Sequence, residues 1–262
     1  VGAQKSTGLS ISGEDLPGIL PALDFLRDVN SGKEIKIGKK VVVTGGGNVA
    51  IDTARTALRF GAEVSIIYRR TEVEMPALPE EVEGAREEGI KFQFLTNPKQ
   101  FLSDGKNHLV GVECNEMELG EPDESGRRRP IAKPDTFTIE CDMVIVAIGQ
   151  GTELPGLLDE TAIRTKPNSF IVADPLTLAT SEPGIFAGGD GVTGPKSAVE
   201  AINHGHEAAI SIERYLTGGD LSEGREKPEE EPSPLPEGEH EEKERLSAKK
   251  ISLERRLSGF DE

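Results

Sequence analysis

VVVTGGGNVAIDTARTALRFGAEVSIIYRR, residues 41–70, decides the fold. Together with Lys40 it opens on KVVVT, a short β-branched run bounded by Gly38 and by glycines at 45–47, which predicts a buried parallel strand. Apolar Val49, Ala50, Ala54, Ala57 and Leu58 recur at helical spacing, so a helix is expected from about Asn48 to Phe60 with Gly61 as its cap. EVSIIY, residues 63–68, gives a second strand. Between the first strand and the helix, Gly45-Gly46-Gly47-Asn48-Val49-Ala50 matches GxGxxA. Gly45 permits a tight turn, Gly47 leaves room for a pyrophosphate to reach the backbone, and the small Ala50 lets helix and strand pack closely. The free amides at the positive end of the helix then face the anion. A glycine-rich turn with a purely structural role is the competing reading, and the strand-to-helix setting favours dinucleotide binding.

Working outward, PEEVEGAREEG at 79–89 predicts a second helix, with Pro79 at its start, acids in its first turn and Gly89 after its end. KFQFL at 91–95 is a third strand, and the alternation of strand and helix is half of a doubly wound α/β parallel sheet. From 107 to 140, alternating HLVGVECNEMEL and DTFTIE flank the polar loop GEPDESGRRRP, which predicts an antiparallel hairpin. DMVIVAIGQ at 142–150 and GIFAGGDGV at 184–192 read as two more buried strands, the second followed by a helix from about Ser197 to Leu216. Beyond Gly218, EGREKPEEEPSPLPEGEHEEKE has too little apolar surface to offset its ordering entropy and reads as an extended or disordered acidic linker.

A chain of 262 residues with 35% hydrophobic content can bury the core of one large or two modest domains. Its net charge of −17 opposes a role on nucleic acid or an anionic membrane surface, and the basic run Arg127-Arg128-Arg129 is short and isolated. MVIVAIG at 143–149 falls far short of the roughly 18–20 apolar residues a membrane span needs, so no membrane insertion is expected. Cys114 and Cys141 are too far apart for a CxxC pair and too few for a cysteine-rich metal site. They read as small buried apolar residues, with no metal and no dithiol relay expected. Low cysteine usage and the lack of a visible secretory signal fit a reducing cytoplasm.

The residue ending the second strand discriminates between nicotinamide cofactors: a carboxylate bonds the ribose 2′-hydroxyl of NAD, whereas arginine accommodates the 2′-phosphate of NADP. Here the strand ends Ile67-Tyr68-Arg69-Arg70, with no acid before Glu72, which favours NADPH while leaving NADH possible. Pairing of Arg69 and Arg70 with Glu72 or Glu74 is the alternative. His108, His204, His206 and His240 lie outside the cradle, and each reads as structural or surface. With no acid–base constellation present, no catalytic side chain is expected, and the hydride is expected to pass to a second cofactor.

TSEPGIFAGGDGVTGPKSAVEAINHGHEAA, residues 180–209, resembles the carboxy-terminal flavin motif of two-dinucleotide-binding flavoproteins. GGGNVAIDTARTALRFGAEVSIIYRRTEVEMPA at 45–77, VGAQKSTGLSISGEDLPGI at the start and DMVIVAIGQ at 142 are similar to the glutamate synthase small-subunit-like family of NAD(P)H-dependent FAD oxidoreductases. The resemblance runs to about residue 217. It implies an NAD(P)-binding domain at 39–140 inserted into an FAD-binding, Rossmann-like domain whose segments here are 1–38 and 141–217, followed by an acidic tail at 218–262. It further implies that Asp190 bonds a ribityl hydroxyl of FAD, that Gly188 and Gly189 let the backbone approach the flavin chain, and that Gly149 is among the cofactor-binding residues. Lys196, Ser197, Ala198 and Val199 would open a helix whose amides face the pyrimidine end of the isoalloxazine ring, where negative charge develops on reduction. Capping of a turn is the alternative role for Asp190.

Family members carry an earlier GxGxxG and an acidic residue for the adenosine half of FAD, which do not precede the cradle here, so a longer polypeptide is expected and this chain alone should bind FAD poorly. ISLERRLSGFDE at 251–262 resembles the stretch that joins an iron–sulfur module in multidomain relatives. The expected partner is therefore an iron–sulfur domain or subunit of the same complex. The competing function is a non-catalytic NAD(P)-binding or sensing module without its own flavin.

Overall fold

A computed structural model of the chain describes residues 2–122, 126–154, 156, 161–225 and 250–260. In chain order the elements are β1 (Lys5–Ser6), β2 (Ile19–Pro21), α1 (Ala22–Asn30), β3 (Lys40–Thr44), α2 (Asn48–Arg59), β4 (Glu63–Ile67), α3 (Pro79–Glu87), β5 (Lys91–Gln93), β6 (Thr96–Ser103), β7 (Leu109–Pro122), β8 (Arg128–Glu140), β9 (Met143–Val146), β10 (Gln150–Gly151), α4 (Asp190–Thr193), α5 (Ala198–Thr217) and α6 (Leu253–Ser258). Two compact units result: Lys5–Gln150 with Ile251–Glu262, and Val1–Gln4 with Gly151–Lys250. Among the described residues no helix is long and apolar enough to cross a membrane.

The first unit is built on a five-stranded parallel sheet of order β2-β9-β3-β4-β5. β3 sits at its centre, pairing Val41 with Val64 of β4 on one side and with Met143 of β9 on the other. Period-two alternation sends Val41, Val43, Val64, Ile66, Met143 and Ile145 to one face, where they bury Ala22 and Phe25 of α1, Ala50, Ile51, Ala54 and Ala57 of α2, and Val82 and Ala85 of α3. Val42, Ile67, Val144 and Val146 point the other way, against Phe101, Leu109, Val112, Cys114 and Cys141. That second face is closed by the antiparallel sheet β6-β7-β8. Fully burying a side chain such as Ile51 or Ile66, both 0% exposed, stabilises the fold by about 1.5–3 kcal/mol each.

Several elements depart from expectation. Helix α1 was not anticipated, although Ala22, Phe25, Leu26 and Val29 stand at helical spacing and pack on the sheet. α1 and β2, within the segment 1–38, and β9, within 141–217, all belong to the five-stranded unit. The third strand stops at Gln93, because Leu95 turns left-handed at φ 51° and redirects the chain into β6. The polar stretch GEPDESGRRRP is not a plain loop: β7 and β8 continue through much of it, pairing Leu119 with Pro130 and Pro122 with Arg128. Residues 184–192 are not a strand. Only a bridge from Ala179 to Phe186 forms, and glycines at φ 82° (Gly184) and φ 62° (Gly189) break the run before the short helix α4.

In the second unit α5 starts at a capping box, Ser197 accepting from the Glu200 amide while the Glu200 side chain accepts from the Ser197 amide, and ends at left-handed Gly218. Arg225 ties the chain after α5 back to it, donating to Ser211 Oγ at 2.8 Å and Glu207 O at 2.8 Å. Most of the expected acidic linker, 226–249, lies outside the described residues. Residues 251–260 depart from the expectation of an extended tail. They form α6 and dock in the first unit, where Arg256 reaches Glu87 at 2.8 Å and Glu88 at 3.5 Å, and Phe260 packs on Phe60 with ring centroids 6.0 Å apart. Glu88 also accepts from Arg55 and Arg59, so one buried carboxylate joins α2, the end of α3 and α6.

Candidate functional site

The glycine turn between β3 and α2 uses its three glycines for three different reasons. Gly45 has φ 143°, and a Cβ there would strike the carbonyl of Ala147. A Cβ on Gly46 would come within 2.6 Å of the Tyr68 ring. Gly47 is different: its φ of −94° suits any residue, and the nearest atom to a Cβ would be Pro76 Cγ at 3.8 Å. Among the described residues nothing requires glycine at position 47. The space it leaves is open.

Gly47 is also the N-cap of α2 and supplies no side-chain oxygen. Asn48, which has a capping oxygen, spends it elsewhere, accepting from the Leu78 amide at 2.9 Å. The amides of Asn48 and Val49 begin the helix and have no partner of their own in the ladder, while those of Ala50 and Ile51 turn back to Gly47 O at 2.9 and 3.3 Å. Ala50 is 0% exposed against the sheet, as the motif requires. A helix start with orphan amides, no cap and a vacant position beside it is arranged to take an anion. The 71–78 segment braces the turn, with the Ala77 amide donating to Gly46 O at 3.1 Å and Tyr68 Oη to Glu74 O at 2.9 Å.

Arg69 and Arg70 follow β4, next to this turn through Tyr68. Neither pairs with the acids named as alternatives. Glu72 holds Arg86 at 2.8 Å, and Glu74 is engaged by the Thr71 hydroxyl and amide. Arg70 Nε donates to Arg128 O at 2.8 Å, so the basic run at 127–129 is not isolated: the β7–β8 arm brings it to the end of β4. Arg69 is held below the usual arginine range, first by loss of solvation at its guanidinium and then by the like charges of Arg70 and Arg127. Gly149, at φ 152°, lies in the same unit as the cradle, its carbonyl accepting from the Thr7 amide at 3.0 Å.

Gly188, Gly189, Asp190, Lys196, Ser197, Ala198 and Val199 cluster in the other unit. Asp190 Oδ1 accepts from the Lys196 amide at 3.2 Å and so braces the turn between α4 and α5. The capping box engages the Ser197 and Glu200 amides, while those of Ala198 and Val199 begin the helix. His204, read from the sequence as structural or surface, takes a specific structural role. Its Nδ1 accepts from the Gly189 amide at 2.9 Å, and a Cβ on Gly188 would lie 2.7 Å from His204 Cβ, so this α5 side chain shapes the glycine turn. Its place in the α5 pattern, seven residues after Ser197, carried no signal without the fold of the preceding turn. Cys114 and Cys141 are buried, and burial pushes both thiols up to about 12, which leaves them protonated at neutral pH.

A family model described as pyridine nucleotide-disulphide oxidoreductase matches residues 2–205. The chain is 47% identical over 226 residues to the NADP(+)-dependent formate dehydrogenase subunit beta of Moorella thermoacetica, covering 84% of this chain and 32% of that protein. It is 35% identical over 229 residues to the glutamate synthase [NADPH] small chain of Azospirillum brasilense, covering 82% and 47%. It thus spans about a third to a half of the length of these relatives. Among solved structures, Mycobacterium tuberculosis FprA in complex with NADPH superimposes with a TM-score of 0.66 at 20% identity, over 83% of this chain and 63% of FprA, a likeness of fold. The chain belongs to the pyridine nucleotide-disulphide oxidoreductase family.

Proposed function

We propose that this chain is the nicotinamide-binding part, with a portion of the flavin-binding part, of an NADPH-dependent oxidoreductase that passes electrons through FAD to iron–sulfur centres of a larger complex. The observation that carries the reading is Gly47, a glycine that neither its φ nor its neighbours demand, at the uncapped start of α2. A bound pyrophosphate explains both the missing side chain and the missing cap. Arg69 and Arg70 would meet the 2′-phosphate, consistent with relatives whose names specify NADP(+) or NADPH.

The residues toward FAD fit less specifically but compatibly. Gly189 is left-handed, Asp190 is a half-buried carboxylate at the turn, and α5 presents the Ala198 and Val199 amides. When bound, FAD supplies hydride acceptance and one-electron release. The chain's own residues would bind and orient: the turn amides hold the dinucleotide phosphates, and the α5 N-terminus favours negative charge placed near it. No side chain in this scheme exchanges a proton. We place the protein in the cytoplasm on its sparse cysteines.

Gly47→Ala tests the reading. Alanine fits the backbone at φ −94°, so the far-UV spectrum and unfolding midpoint should stay close to those of the parent. NADPH affinity should fall about a hundredfold or more, because displacing the pyrophosphate loses at least two charge-assisted bonds of about 1.5–3 kcal/mol each. Unchanged affinity by titration calorimetry would remove the basis of the proposal.

A further inference from the structure

We infer that Asn48 is a positioning residue of the dinucleotide site: it fastens the 71–78 segment to the start of α2, so that Pro76 walls the open space at Gly47. This rests on the reading that the glycine turn binds NADPH. Asn48 stands at the first helical position of α2, yet its Oδ1 accepts from the amide of Leu78, 30 residues on, at 2.9 Å. Next to Leu78, the Ala77 amide donates to Gly46 O at 3.1 Å, and Pro76 Cγ is the atom nearest to a Cβ placed on Gly47, at 3.8 Å. At its other end the segment follows Arg70 directly, and the Tyr68 hydroxyl holds Glu74 O at 2.9 Å. One ribose carries both the 2′-phosphate and the 5′-pyrophosphate. A segment that runs from the arginines to the glycine turn therefore flanks the adenosine half of the ligand.

Hydrogen bonds carry much of the segment's shape. Val73 is 90% exposed and Leu78 55%, while Met75 and Ala77 are its apolar contributions to the core. Leu78 is also the N-cap residue of α3, so the Asn48 bond ties two helix starts together. α3 has Glu80 and Glu81 in its first turn, whereas α2 has no acid in its own. The positive end of α3 is thus answered by its own carboxylates, and a bound anion is directed to α2. Without the Leu78 bond the segment has to be ordered when the nucleotide arrives, and that ordering is subtracted from the affinity. The loss falls on the pyrophosphate and the ribose, which NADPH and NADH share.

The test titrates NADPH and NADH calorimetrically into the 262-residue parent chain, Asn48→Ala, Leu78→Pro and Gly47→Ala. Leu78 has φ −62°, which proline adopts, so Leu78→Pro removes the donor and leaves the Asn48 side chain in place. Asn48→Ala and Leu78→Pro should each weaken both nucleotides about five- to tenfold, the loss of one ordinary hydrogen bond. The Leu78 amide should exchange faster in Asn48→Ala. Far-UV spectra and unfolding midpoints show that each variant is folded. If Asn48→Ala weakens binding and Leu78→Pro does not, Asn48 touches the nucleotide itself and the positioning role falls. If Asn48→Ala leaves NADPH binding intact while Gly47→Ala weakens it, the bond has no part in the site and the proposal falls, with the NADPH reading intact. A Gly47→Ala variant that binds NADPH as the parent does overturns that reading and this inference together.

Discussion

Replacing Glu88 by glutamine takes one negative charge from among three guanidinium groups and keeps the side chain's volume. The carboxylate accepts from Arg55 at 2.8 and 3.1 Å, from Arg59 at 3.1 and 3.3 Å and from Arg256 at 3.5 Å. Its side chain is 0% exposed and those of Arg59 and Arg55 are 4% and 11%, so water cannot take over the lost role. Arg55 retains Glu81 and Arg256 retains Glu87, whereas Arg59 is left with the carbonyls of Arg55 and Gly259. Removing one partner of a buried pair costs about 3–5 kcal/mol. Two of the three arginines keep a second carboxylate, which puts the expected loss near 3 kcal/mol. For a domain of roughly 150–250 residues, about 2–4 °C per kcal/mol gives a fall in Tm of about 6–12 °C.

The pH dependence supplies an internal control for the same variant. Burial alone would raise the Glu88 pKa, but the hydrogen bonds and charges of Arg55 and Arg59 outweigh it and hold the group below the ordinary 4.5. A carboxyl with a depressed folded value stabilises the fold fully above the unfolded value and ceases to do so as pH falls through the folded one. The gap between parent and Glu88→Gln, followed by circular dichroism on heating, should be constant between about pH 6 and 8 and narrow below 4.5. A Tm difference under about 2 °C at pH 7, or a gap that persists undiminished in acid, would refute the assignment of Glu88 as the charge that pins α2 to α3 and α6.

Two further outcomes are expected. The double variant Arg69→Ala with Arg70→Ala should raise the Kd for NADPH about tenfold to a hundredfold while leaving NADH nearly unchanged, and equal losses for both nucleotides would contradict a 2′-phosphate role. His204→Leu leaves the Gly189 amide without its acceptor and should speed hydrogen exchange there about fivefold, matching a lost bond of about 1 kcal/mol, whereas His204→Asn keeps an acceptor and should stay near the parent rate. Equal protection in all three proteins would show that the imidazole does not shape that turn.

The parallel strands and α2 were legible because their signals are local. KVVVT is short, β-branched and bounded by glycine, and the apolar positions of α2 repeat at 3.6. What the sequence hid depends on residues far apart in the chain. β6 follows from one left-handed residue, Leu95, in a run that otherwise continues as a strand. The extent of β7 and β8 through a polar stretch follows from pairing across the hairpin, which polar composition does not report. α6 is anchored by Arg256 to Glu87 and Glu88, more than 160 residues earlier, and its charged, short sequence gives no hint of a buried arginine.

The site shows the same division at the level of single residues. Gly45, Gly46 and Gly47 are identical letters, and the motif's spacing singles out Gly45 for the turn and Gly47 for the pyrophosphate. Placed in the fold, Gly45 answers to its own φ and the Ala147 carbonyl, Gly46 to the Tyr68 ring, and only Gly47 is left for something that is not protein. A glycine explained by its neighbours is silent about ligands, so the one left unexplained carries the functional argument. The arginines invert the case. Arg69 and Arg70 were readable as a pair from the strand end, but the run at 127–129 meets them only through the arm's register, which brings the Arg128 carbonyl to Arg70 across nearly sixty residues.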